Sequence, residues 1–72
     1  MVQYIMVEER LNHPNLGEYL SFGIAALKNG EQIILVSDIS TNKNDVLKLA
    51  ERCSKEKLSP VHLYDVVEDY LN

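Results

Sequence analysis

Glu18-Tyr19-Leu20-Ser21-Phe22-Gly23-Ile24-Ala25-Ala26-Leu27-Lys28-Asn29-Gly30-Glu31-Gln32-Ile33-Ile34-Leu35-Val36-Ser37-Asp38-Ile39 reads as two strand-like runs hinged at one dipeptide. Asn29-Gly30 supplies the two positive φ values of a type I′ turn, whose twist matches that of the strands it joins. Folding there sets Lys28 opposite Glu31, an opposite-charge cross-strand pair. Continued without interruption, the register sets Ala26 opposite Ile33, Ile24 opposite Leu35, Phe22 opposite Ser37 and Leu20 opposite Ile39. One face then carries Leu20, Phe22, Ile24, Ala26, Ile33, Leu35 and Ile39, and this is the expected core face. The opposite face carries Tyr19, Ser21, Gly23, Ala25, Leu27, Gln32, Ile34, Val36 and Asp38, which is mixed rather than polar. Gly23 inside a strand marks a bulge or a close backbone approach.

Working outward, Val2 to Leu11 alternates Ile5, Val7 and Leu11 with Val2, Tyr4 and Met6, the pattern of a further strand. It is expected to end near Glu9 or Arg10, with Asn12 to Gly17 as a loop containing Pro14. The sequence leaves open which neighbour this strand pairs with. On the other side, Asn42 (or Thr41) caps a helix, with Asp45 in the first turn. Val46, Leu49, Ala50 and Cys53 recur at helical spacing, and the helix should stop around Glu56. Ser59-Pro60 opens a second helix, whose apolar stripe is Leu63, Val66, Val67, Tyr70 and Leu71.

Seventy-two residues make one domain, 1–72, and the 46% apolar share excludes a disordered chain. Domains this small rarely gain more than a few kcal/mol from one core, so many add disulfides, a metal or a partner. Cys53 is the only cysteine, which rules out an internal disulfide and leaves self-association as the expected staple. Met1 leads into Val2–Val7 with no basic segment and no long apolar run, so the expected location is cytoplasmic. No stretch approaches the roughly 20 apolar residues of a membrane span. A net charge of −4 runs against nucleic-acid binding, which draws its affinity from a basic surplus.

Residues able to carry chemistry are few. Cys53 and His62 could form a nucleophile–base pair, but Cys53 lies on an apolar helix stripe, where cysteine packs as a small hydrophobe. His62, Asp65 and Asp69 share one side of a helix, yet one imidazole and two carboxylates match no recognised ligand motif. No catalytic, cofactor-binding or metal residue is therefore expected. His13 is read as an exposed turn residue. Lys48, Arg52 and Lys55 form a basic stripe that could meet an anion; ion pairs with Asp65, Glu68 and Asp69 of the neighbouring helix are the simpler reading.

At Phe22-Gly23-Ile24, Asp38-Ile39-Ser40 and Leu58-Ser59-Pro60-Val61-His62-Leu63-Tyr64-Asp65-Val66-Val67-Glu68-Asp69, the chain resembles a family of short uncharacterised bacterial proteins, a domain of unknown function. The resemblance covers the chain from about Tyr19 onward. It implies a bacterial, cytoplasmic protein and carries no activity, cofactor or site residue.

The expected fold is α+β: a three-stranded antiparallel β-meander with two C-terminal helices packed on one face, βββαα. The expected function is a small protein-interaction module, leaning away from an enzyme. It would self-associate or meet a protein partner through the open sheet face, around Tyr19, Ala25, Ile34 and Val36, or through an edge strand. Two alternatives are a ligand-binding or catalytic site near His62 and Asp65, and weak nucleic-acid binding through Lys48, Arg52 and Lys55.

Overall fold

The computed structural model describes all of residues 1–72. Strands β1 (Val2–His13), β2 (Gly17–Lys28) and β3 (Glu31–Ser40) are followed by helix α1 (Lys43–Lys55), a 3-10 turn (Pro60–His62) and helix α2 (Leu63–Leu71). The strands form one antiparallel sheet in the order β1-β2-β3, so the βββαα meander stands.

Asn29 (φ 53°) and Gly30 (φ 81°) make the tight turn, and Lys28 faces Glu31. Beyond that pair the uninterrupted register fails. Leu27 faces Gln32 but Ala26 faces Ile34, so one residue of β3, Ile33, has no opposite number. A single extra residue moves every later side chain to the other face. Ile34 and Val36 therefore pack against the core, while Ile33 and Leu35 are 45% and 41% exposed. A second irregularity sets Phe22 opposite Ser40 and returns Ile39 to the core.

β1 is longer than its alternation suggested, and the loop shorter. Asn12 and His13 pair with Glu18 and Gly17, leaving Pro14–Leu16 as the turn. Leu16 N–H donates to His13 O across that turn, and Gly17 follows at φ 75°. A 12-residue strand runs about 40 Å, whereas the 13-residue α1 runs only about 20 Å. The helices consequently cover half of the β1–β2 ribbon, and the rest projects as a two-stranded arm. Leu20 lies on that arm opposite Arg10 and is 44% exposed, so it does not belong to the core.

The core joins Tyr4, Phe22, Ile24, Ala26 and Ile39 of the sheet to Val46, Leu49, Ala50 and Cys53 of α1 and Leu63 and Val67 of α2. The α1 stripe is the one expected from the spacing, and so is that of α2 as far as Tyr70; Leu71, expected to continue it, is 61% exposed because the helix ends there beyond the edge of the core. Asn42 caps α1 by accepting the Asp45 N–H (3.2 Å); Ser59 makes no side-chain cap, and Pro60 opens the 3-10 turn instead. No ion pair joins the helices. Their polar link is Tyr70 Oη–H donating to Asp45 Oδ2 at 3.1 Å.

Candidate interaction surface

The helices leave one face of the sheet bare. Antiparallel alternation places Ile5, Ala25 and Leu35 in one row across it, with Val7 beside Gly23 and Gln3 beside Leu27. Ile5, Ile33 and Leu35 are exposed, and Val7 and Leu27 are half-buried. Ala25 is on this face but only 1% exposed, because a methyl group on the central strand sits below its larger cross-strand neighbours. Of the four residues expected here, Tyr19 and Ala25 are in place. Ile34 and Val36 are on the helix side, for the reason given by the Ile33 bulge.

The far end of the same face is polar and tied down internally. Glu9 accepts from Ser37 Oγ (2.7 Å) and from the Asp38 N–H (3.1 Å), reaching from β1 to β3 across the middle strand. Gly23 makes this possible: a Cβ there would overlap the Val36 carbonyl oxygen and crowd Glu9 Oε1. The close approach expected of that glycine is thus real. Asp38 adopts φ 54°, and its carboxylate accepts from Ser21 Oγ and from Tyr19 Oη (3.2 Å). Burial first, and the Asp38 charge second, push the Tyr19 phenol above its ordinary value. Each carboxylate is matched to donors of the same chain, so the cluster fastens β3 over Gly23.

The other candidate residues are scattered. Cys53 is 2% exposed, and burial pushes its thiol up despite the opposing Arg52 charge, the opposite direction from that of an activated nucleophile. His62 Nδ1 lies 3.7 Å from Asp65 Oδ2, both well exposed, and no three His, Cys, Asp or Glu side chains converge. Lys48, Arg52 and Lys55 share a shallow depression with Glu51 and Glu56, and Arg52 Nε holds Glu56 Oε2 at 3.3 Å. The stripe is therefore interleaved with acid. His13 accepts the Asn15 N–H in its own turn. A groove of about 510 Å³ lies between Met1–Gln3 and the Lys57–Pro60 connection, with Ser54 at its side; Lys57 is its one charged side chain. No helix is long and apolar enough to cross a membrane.

The family model described as "Family of unknown function (DUF6514)" matches residues 1–72. The chain belongs to that family. The match includes β1, which the motif resemblance from Tyr19 onward did not reach. No curated protein and no solved structure matches the chain.

What the sequence missed on this surface is Ile5, Ile33 and Leu35 as its exposed apolar residues, and Glu9 as its fastener. Gly23 was the available signal, since a glycine that admits backbone from a neighbouring strand implies that the neighbour is irregular.

Proposed function

We propose that this DUF6514 domain is a self-associating interaction module of the bacterial cytoplasm, whose contact surface is the bare sheet face. The observation that carries the reading is the exposed apolar row of Ile5 and Leu35, flanked by Ile33, Val7 and Leu27. Exposed apolar patches of this sort mark contact surfaces. Where all three strands run side by side, over Phe22–Lys28, a face three strands wide at about 4.8 Å spacing and about 24 Å long offers on the order of 350 Å². Two copies would bury about 700 Å² together, the size of a weak, concentration-dependent contact rather than a permanent one. A flat, apolar face suits a second copy of itself through a two-fold axis. Glu9, Ser37 and Asp38 form its polar margin. Nothing in this reading calls on a cofactor, a metal or catalysis.

Sedimentation velocity at high micromolar concentration provides the test. The wild-type chain should sediment as an associated species, and Leu35→Asp should lower its weight-average mass with unchanged far-UV circular dichroism. Val36→Asp, one residue on, should instead lose the folded signal, because that side chain packs against the core. A wild-type monomer at that concentration overturns the proposal.

A further inference from the structure

The two outer edges of the sheet are treated differently along their length. β3 is broken by two irregularities, at Ile33 and again between Val36 and Ser40, which spoils it as a pairing template. At the other edge, Ser54 Oγ accepts the Tyr4 N–H and donates to Tyr4 O, both at 3.1 Å. Helix α1 thereby occupies the outward hydrogen-bonding groups of β1 at Tyr4. In an antiparallel ladder such groups alternate, so the next residues with outward N–H and C=O are Met6, Glu8, Arg10 and Asn12. No side-chain, turn or cap hydrogen bond reaches the backbone of these four. The free run starts past the Ser54 clasp and ends at the Pro14 turn.

We infer that this run, Met6–Asn12, pairs antiparallel with the same run of a second copy, about a two-fold axis at Glu9. The register is dictated by length. Only a pairing centred on residue 9 satisfies every outward group, with Met6 opposite Asn12 and Glu8 opposite Arg10 of the other copy. That same register pairs Glu8 with Arg10 twice and puts Val7 beside Leu11 on the bare face; Glu9 meets its own copy on the axis, where its carboxylate is already held by Ser37 Oγ and the Asp38 N–H. Shifting the centre to residue 8 or 10 would put Glu8 against Glu8 or Arg10 against Arg10. Charges on an edge ordinarily deter pairing; here their order along β1 selects one pairing and penalises its neighbours. Arg10 Nη1 already holds Glu18 Oε1 at 2.9 Å, but both are exposed, and an exposed pair is too weak to exclude a second partner. The edge is a different surface from the apolar face, so this inference does not depend on the preceding one.

Cysteine pairing reads the register directly. The Val7→Cys and Leu11→Cys variants, mixed and mildly oxidised, should give a disulfide-linked dimer on a non-reducing gel. Each alone, and the wild type with its buried Cys53, should give little. The cross-link should persist when both variants also carry Leu35→Asp, which separates failure of the edge from failure of the face. In parallel, Arg10→Glu should weaken edge association about tenfold. The Glu8→Arg, Arg10→Glu double variant should recover it, although its contact with Glu18 stays broken. No cross-link in the mixture, equal cross-linking of either variant alone, or no recovery in the double variant would each overturn the inference.

Discussion

The β1–β2 ribbon has two halves with the same backbone pairing and different surroundings. From Val2 to Val7 and from Gly23 to Lys28 it carries β3 on one side and the helices on one face. From Arg10 to Leu20 it projects as an arm around the Pro14–Leu16 turn, with Leu16 and Leu20 exposed. Ladder hydrogen bonds run through both halves without a break. What differs is burial: Tyr4, Ile24 and Ala26 are within 5% of full burial, whereas Leu20 is 44% exposed. A lone two-stranded ribbon is marginal in water, so the arm persists as an extension of a sheet that the helices stabilise. The comparison teaches that pairing sets the shape of this domain and side-chain burial sets where its stability resides.

Three substitutions would break or sharpen that contrast. Ile24→Ala, in the covered half, removes a fully buried side chain from the core between sheet and helices; chemical denaturation should show a loss of about 2–5 kcal/mol. Gly23→Ala tests the border between the halves. Its Cβ meets a backbone oxygen that cannot swing aside, so the Glu9–Ser37–Asp38 fastening should loosen, with a loss of about 1–3 kcal/mol in the same assay. Leu20→Ser, on the arm, should change stability by less than about 0.5 kcal/mol in the isolated chain. A large loss there would mean that the arm is covered in solution, which would favour its burial by a second copy. Amide exchange should follow the same order, with the arm opening faster than Tyr4, Ile24 and Ala26.

The legible parts of the sequence were those governed by local chemistry. Asn29-Gly30 had to turn, because its two positive φ values suit only such a pair. The stripes Val46–Leu49–Ala50–Cys53 and Leu63–Val67 had to face a core, because their spacing closes one side of a helix. The bare face was legible as a surface, and half of its residues were not. Ile33-Ile34-Leu35-Val36 is apolar at four consecutive positions, so alternation contains no information about which pair points inward. Its neighbours could not help, since β3 loses its opposite numbers at both ends. The arm was hidden for a related reason: Asn12 and His13 look like turn residues, and only their pairing with Glu18 and Gly17 makes them strand.

On its own, then, the order of residues determined the turn, the caps and the inward stripe of each helix, because each depends on groups within a few positions of one another. Only the folded whole decided that Ile34 and Val36 go under the helices while Ile33 and Leu35 face out. That choice rests on Ile39 reaching the core and on β3 crossing Gly23 to meet Glu9, contacts between residues 13 to 29 positions apart that no local pattern encodes.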